Sequence, residues 1–386
     1  MSKTLNGPFF SRIRIQNFRS YSSSDVTFNE NPVVLYGPNG SGKTNFLEAI
    51  SLLVPGRGLR SAKSQHFLRI QEENQIQYND WAIHATFESN QKSIEISTGI
   101  KVEDSKLKNS RSFKVHGNKT SQRDILSIIT INWLTPQMDI IISGPESGRR
   151  KFFDRMVAGF DPSHLGRLNK YKKLVRERFK LIEHNKGDKH WFKLIERELA
   201  EVGVAIISAR INLSVMLDKY TSSPFTPLFP SVRMAWSGQV EDWISNSPAL
   251  EVEDRIVVAL ETSRMHSNHN IYGPNQSILN IWHGVTGKTA EYCSTGQQKS
   301  ILVSMVLAYS KLIYENKGVP PILLLDEVGA HLDTEHFQAL FDSSVAIAGQ
   351  IWMSGADASI FQKLNRNKEL QYFAVNDSII TQLVDL

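Results

Sequence analysis

The spacing of apolar residues along this chain changes character twice. In "SRIRIQNF" Ile13 and Ile15 alternate with Arg12, Arg14 and Gln16, the period of a half-buried strand. "PVVLY" (32–36) is a short continuous apolar run, as in a strand buried on both faces. Residues 45–53 then have helical spacing. Trp81, Ile83, Ala85 and Phe87 alternate again with polar residues, followed by Ile94 and Ile96 and by Phe113 and Val115. These predict strands of an antiparallel layer separated by polar loops.

From about 146 to 220 the pattern is helical and poor in glycine. Leu168, Val175, Phe179 and Ile182 form one apolar stripe, with Lys172, Arg176 and Lys180 beside it at i, i+4 and i+8. "HNKGDKH" (184–190) breaks that helix. A second follows through Ile195, Leu199, Val202, Ile206, Leu213 and Leu217. The passage "TSSPFTPLFPS" (221–231) is rich in Pro and Ser, and 250–263 is helical again. Strand-like runs return at 321–325 and 350–353. The order is β-rich, then α-rich, then α/β, with no internal repeat.

Composition narrows the class. The 386 residues suffice for two or three domains, and 41% hydrophobic with 22% charged residues describes a globular chain. Unbroken apolar runs such as "ILLL" fall far short of the roughly 18 residues of a membrane span. "MSKTLNGPFFSRIRIQNF" has no apolar core before its arginines, so no secretory signal is expected. Cys293 is the lone cysteine, which excludes an internal disulfide and fits a reducing cytoplasm. It is read as a small packed residue. The histidines show no metal-ligand spacing, and His266 and His269 are assigned to a surface loop. Net charge is +5, but residues 149–193 carry fourteen Lys/Arg against five acids. The excess sits in one helical element, which points to an anionic partner there.

Residues 37–44, "GPNGSGKT", fit G-x-x-x-x-G-K-[ST] between a predicted strand and a predicted helix, the context a P-loop requires. Gly37, Pro38, Asn39, Gly40, Ser41 and Gly42 would turn backbone N–H groups toward phosphate at a helix N-terminus. Lys43 would reach the β- and γ-phosphates, and Thr44 would ligate Mg²⁺. "PILLLDEVGAHLD" (321–333) supplies the acids. Asp326 falls at the C-terminal edge of a buried strand and is assigned to the metal; Glu327 is assigned to polarising the attacking water. Lys43 and Asp326 stand 283 residues apart, so the helical basic segment is inserted between two halves of one ATPase sheet.

"STGQQKSILVS" (294–304) opens an apolar helix 32 residues before Asp326. By itself such a loop serves as a helix cap. In that position it resembles the signature of the ATP-binding-cassette superfamily. The resemblance narrows to the RecF family of recombination-mediator ATPases and covers nearly the whole chain. It rests on "IQNFRSYSSSDVTFNE", "LYGPNGSGKTNFLEAISLL", "GPESGRRKFFD", "STGQQKSIL" and "LLLDEVGAHLD". It implies an α/β fold: an ABC-type P-loop head of mixed sheet plus antiparallel layer, in residues 1–145 and 271–386, with an α-helical arm at 146–270. It implies that Ser294, Gly296 and Gln297 meet the γ-phosphate held by a second copy, and that Asp333 closes the D-loop. Gln137 is a candidate lid residue at the metal. Arg149, Arg150, Lys172, Arg176 and Lys180 are candidate DNA contacts. The implied activity is weak, DNA-stimulated ATP hydrolysis that opens a homodimer clamped on single-stranded and duplex DNA at gaps. Recombination mediator proteins and recombinase are the implied partners, in the cytoplasm.

Two departures stand out. Where the family has Gly-Pro-His-Arg followed by acids, this chain has "YGPNQSIL" (272–279). The last core strand is followed by "QIWMSGADAS" (350–359), without the switch histidine common in cassette ATPases; Ser354 and Asp357 are the polar residues there. A short-armed chromosome-organising ATPase and the ATP-binding subunit of a transporter are the alternative readings.

Overall fold

Strand β1 (Phe9–Phe18) keeps the alternation its sequence predicts: Ile13 and Ile15 are buried while Arg12, Arg14 and Gln16 face solvent. It is followed by β2 (Tyr21–Thr27), β3 (Val33–Tyr36), α1 (Lys43–Ser51), β4 (Asp80–Ser89), β5 (Lys92–Lys101), β6 (Ser112–Val115), β7 (Asn118–Thr120), α2 (Gln122–Ile128) and β8 (Ile131–Leu134). The middle of the chain holds α3 (Asp139–Ser143), α4 (Glu146–Phe160), α5 (His164–Glu183), α6 (Lys189–Thr221), β9 (Val232–Ser237), α7 (Gln239–Asn246), α8 (Ala249–Met265) and β10 (Ile278–His283). The last part holds α9 (Thr295–Lys317), β11 (Ile322–Leu325), α10 (Thr334–Ile347), β12 (Ile351–Gly355), α11 (Ser359–Gln362), β13 (Gln371–Asn376) and β14 (Ile379–Leu383). This computed structural model describes residues 7–69, 80–101, 111–183, 189–222, 226–265, 271–330, 332–364 and 369–383. His266, His269 and most of the predicted break at 184–190 lie outside them.

The chain divides into two units. One comprises Met1–Met138, Pro224–Phe229 and Leu302–Leu386, and the other Asp139–Ser223 and Pro230–Ile301. The second takes in the segment expected as the arm except 224–229, and extends beyond it to 139–145 and 271–301.

The first unit has two sheets. One is antiparallel, in the order β2-β1-β4-β5-β6-β7. The other runs β14-β13-β3-β12-β11-β8, parallel throughout except for the antiparallel β13–β14 hairpin. Its central strands read as continuous apolar runs because both faces are covered: Val33, Val34, Leu35 and Ile322 to Leu325 are all buried. Sequence spacing missed β8 and β13–β14 in this sheet, and β2 and β7 in the antiparallel one. "INWL" is too short to separate strand from helix by period, although "VNDSII" carries the Asn-Asp turn signal of a hairpin.

In the second unit Ile195, Leu199, Val202, Ile206, Leu213 and Leu217 of α6 are buried as predicted. The stripe predicted on α5 is rotated. Its buried residues are Tyr171, Leu174 and Arg178; Leu168 and Val175 are half-buried and Phe179 is exposed. The cause is a charge. Arg178, wholly buried, donates from Nε to Glu196 Oε1 (2.9 Å) and from Nη2 to the Leu260 carbonyl (2.8 Å), so an arginine occupies a core position. A second buried network joins Asp154, His164 and Arg210. Arg210 grips both Asp154 oxygens (2.8 and 2.9 Å), donates to the Pro274 carbonyl (2.7 Å) and lies over the Trp236 ring. His164 meets Asp154 at 2.9 Å. Arg150 holds the Ser277 carbonyl at 2.8 Å. The divergent Gly273–Ser277 segment is thus fixed at its carbonyls, which any sequence supplies. Helix α6 is long and apolar enough to cross a membrane by length and composition alone. Its apolar face lies against α5 and α8, and Arg210 makes a buried ion pair from it.

Removing one partner of a buried ion pair leaves an uncompensated charge. Arg178→Ala is therefore expected to destabilise the chain by about 3 kcal/mol in chemical denaturation. Lys172→Ala, on the exposed face of the same helix, should shift it by less than about 0.5 kcal/mol.

Candidate nucleotide site

The loop 37–42 leaves the C-terminal end of β3 and enters α1 at Lys43. Gly37 has φ +152°, and a Cβ there would lie 2.1 Å from the Val375 carbonyl oxygen of β13. Only glycine permits this approach. The β13–β14 turn supports the loop from the same side, with the Ser378 N–H donating to the Ser41 carbonyl at 2.8 Å. Gly40, at φ +82°, faces open space. Ser41 Oγ is buried and has no hydrogen-bond partner among the described residues. Lys43 is buried, its Nζ donating to the Gly37 and Pro38 carbonyls (2.8 and 2.9 Å). Burial pulls the lysine pKa down, against the opposing charges of Glu327 and Asp326.

Asp326 follows the last residue of β11. Strand β12 pairs with β3 on one side and β11 on the other, and Ser354 on it stands opposite Leu35. Thr44 Oγ1 donates to Asp326 Oδ1 at 3.0 Å, and Ser354 Oγ donates to the same oxygen at 2.7 Å. The Glu327 N–H donates to Ser354 Oγ at 2.9 Å. One serine hydroxyl therefore connects both acids. Burial raises the Asp326 pKa, and the Ser354 and Thr44 hydrogen bonds oppose that rise. Glu327 is held at φ +51°, left-handed for a residue with a Cβ. Such strain costs on the order of 1–3 kcal/mol and persists where surroundings fix it, commonly at functional sites. Asp357 is exposed and accepts the Ser359 N–H (2.9 Å) as a local cap.

The "NFR" turn has a role that spacing did not reveal. Asn17 and Arg19 both have positive φ, and Arg19 grips Glu48 of α1 with two hydrogen bonds (2.9 and 3.1 Å). Glu48 is wholly buried one helical turn beyond Thr44. Arg60, 3.8 Å from Glu48, also bonds Asn45 at 2.8 Å.

In the second unit the 294–298 loop is a capping box. Ser294 Oγ accepts the Gln297 N–H (3.3 Å) and Gln297 Oε1 accepts the Ser294 N–H (3.0 Å). The second glutamine acts elsewhere. Gln298 is buried and donates to the Ala290 and Glu291 carbonyls (3.1 and 3.3 Å). Ser294, Thr295 and Gly296 stay exposed. Cys293 beside them is buried. Arg149 is buried, bonded to Glu146, Glu291 and the Ile142 carbonyl, and so ties α4 to the turn before the signature.

The sequence matches the RecF/RecN/SMC N terminal domain over residues 9–372. It is 38% identical over 362 residues to the DNA replication and repair protein RecF of Mesorhizobium japonicum, covering 92% of this chain and 93% of that protein. It is 35% identical over 380 residues to the protein of the same name from Rhizobium rhizogenes, covering 97% and 98%. The chain belongs to the RecF family. A solved structure of the recombination mediator protein RecF-ATP in the RecFOR pathway superposes with TM-score 0.81 at 22% identity, covering 100% of both chains. An Smc head domain with an extended coiled coil, bound to the C-terminal domain of ScpA from Pyrococcus furiosus, gives TM-score 0.51 at 17% identity, covering 97% of this chain and 96% of that one. At these identities the likeness shows the fold: a cassette-type P-loop ATPase head with an inserted helical arm.

Within this RecF-family head, the loop 37–44, Asp326 and Glu327 come together at one sheet edge. Gln137 is exposed in the turn Pro136–Met138 after β8, which pairs with β11. Asp333 is the N-cap of α10, accepting the His336 N–H at 2.9 Å. Lys172, Arg176 and Lys180 are exposed on α5. Ser354, Arg19 and Glu48 are the supporting residues the sequence did not single out as partners. Deleting the Ser354 hydroxyl strands a strained N–H and removes a donor to a buried carboxylate. Ser354→Ala should cost about 1–2 kcal/mol in denaturant titrations, and Ser354→Thr should recover most of it.

Proposed function

We propose that this chain is an ATP-dependent DNA-binding protein of recombinational repair and replication restart, acting as a dimeric clamp that ATP closes and hydrolysis reopens. The observation that carries the reading is the 3.0 Å bond between Thr44 and Asp326, which assembles cradle and acid from the two ends of the chain. The cradle fits a phosphate chain. Ser41 Oγ is buried without a partner among the described residues, Gly40 faces open space, and Lys43 holds its ammonium at the loop carbonyls. Bound ATP supplies the phosphoanhydride whose cleavage drives the cycle. The backbone of Gly37 to Gly42 and Lys43 would bind phosphate oxygens, and Thr44 and Asp326 would hold Mg²⁺, with Gln137 a further candidate ligand. Glu327, fixed through Ser354, orients the attacking water.

The exposed Ser294–Gly296 loop caps the phosphate bound by a second copy in this reading, and the Gln297 capping box, which keeps its shape, supports it. Arg149 positions that loop and is not a free cation for DNA. The arm contributes Lys172, Arg176 and Lys180, with Arg150 nearer its base, as phosphate contacts at single-strand/duplex gaps. Such contacts position a protein without reading sequence. Mediator proteins and recombinase are the partners this role requires, in the cytoplasm where the DNA is.

Lys43→Ala and Glu327→Gln separate binding from hydrolysis. The first should reduce ATP affinity at least tenfold in nucleotide titrations and abolish ATP-dependent DNA binding. The second should leave ATP affinity within about threefold, slow turnover by 10²-fold or more, and prolong residence on DNA. Wild-type turnover in Glu327→Gln would remove that residue from the water-orienting role.

Ser294→Arg tests the composite site. Monomer ATP binding should be intact, while sedimentation shows no ATP-dependent dimer. Mixing it with Lys43→Ala should restore partial hydrolysis, because some heterodimers unite a wild-type cradle with a wild-type signature. Loss of ATP binding by the Ser294→Arg monomer would place the loop at its own subunit's site.

A further inference from the structure

We propose that the solvent face of the antiparallel sheet is a second contact surface for duplex DNA, separate from the arm. One row of residues crosses this face from strand to strand. Arg14 on β1 stands opposite His84 on β4, His84 opposite Ser97 on β5, Ser97 opposite Lys114 on β6, and Lys114 opposite Lys119 on β7. Arg14, His84, Lys114 and Lys119 are exposed, whereas Ile13, Ile15, Ile83, Ile96 and Phe113 of the same strands fill the opposite, buried face.

Like charges directly opposite one another destabilise a sheet. Here Lys114 faces Lys119, and Arg14 and Lys114 flank His84 from both sides. Among the described residues no ion pair offsets Arg14, Lys114 or Lys119. The one carboxylate in the row, Asp25 opposite Arg14, is held by Arg12 through two hydrogen bonds of 2.8 and 2.6 Å. Glu95 lies in the adjacent row, opposite Thr86. Asp25 and Glu95 lend Arg14 and His84 a partial counter-charge, whereas Lys114 and Lys119 face each other without an ion pair among the described residues, an arrangement that an external anion would relieve.

The shape of the row selects the kind of anion. At about 4.8 Å per strand it extends roughly 19 Å, the length of five to six base pairs and too long for one phosphate group. At its β1–β2 end is a hollow of about 380 Å³ lined by Gln16, Ser22, Ser23 and Ser24 beside Arg14, His84 and Ile15, with Asp25 turned to Arg12 by two hydrogen bonds. Hydroxyl and amide donors beside an arginine are what backbone phosphates take. Binding of single strands uses exposed aromatic platforms. Among the described residues none of the exposed large apolar side chains lies on this face, which favours duplex over single strand.

This inference rests on the reading that the chain binds DNA, and the test separates the two. In the full chain, Arg14→Gln, Lys114→Gln and Lys119→Gln are combined and compared with Lys172→Glu, Arg176→Glu and Lys180→Glu on the arm. Duplex binding is measured with ATP across a salt series. Unchanged ATP affinity shows that each variant is folded. The sheet variant should bind duplex on the order of tenfold or more weakly, and its log K against log salt slope should be shallower by about 2 to 3, near 0.9 per lost contact. A wild-type slope in the sheet variant, with the arm variant impaired, overturns the inference, leaves the DNA-binding reading standing, and assigns the row to an acidic protein surface. Absence of any duplex binding by the wild-type chain overturns both.

Discussion

The placement of β12 between β3 and β11 governs everything chemical in the first unit. Parallel pairing aligns the C-terminal ends of all three strands, and only there do Thr44, Asp326, Glu327 and Ser354 meet. Residues 282 positions apart are joined by a 3.0 Å hydrogen bond because the strands that carry them share a neighbour. The β13–β14 hairpin completes the arrangement from the other side of β3, by leaving space for a glycine and nothing larger at position 37. A one-residue slip of any of these strands would exchange its two covered faces and separate the cradle from its acid.

The second unit is organised by buried charge. Arg178 with Glu196, and Arg210 with Asp154, place ion pairs where a simpler core would have leucine. Such pairs add little net stability but punish misplacement severely. Their geometry fixes the helices of the arm and the 273–277 segment. Arg149 does the same for the turn that precedes the signature. Among the cations of the arm, Arg149, Arg178 and Arg210 position protein, whereas Lys172, Arg176 and Lys180 face solvent.

Much of the site was legible before any fold. "GPNGSGKT" between an apolar run and a helix, and "LLLDE" far downstream, carry their chemistry in adjacent residues, and local spacing records that directly. The double glutamine of "STGQQK" was visible as a motif, but not its division of labour, with Gln297 closing a capping box and Gln298 holding the preceding turn. Ser354 was noticed for standing where a histidine is common; its bonds to Asp326 and to the Glu327 N–H join the ends of two strands, β11 and β12, that only sheet pairing brings together.

The sequence by itself determined the cradle, the acids, the split of the head by a helical insertion and the concentration of positive charge in that insertion. Each of these is a local pattern: a glycine spacing, an apolar run with its terminal acids, a 3.6-residue period, a count of charges. Tertiary structure alone decided which arginines are buried, which face of α5 meets the core, and which cations share a row across the antiparallel sheet. Those outcomes depend on partners distant in the chain. Arg178 and Arg176 look alike in sequence, and only the position of Glu196 makes one a core residue and leaves the other in water.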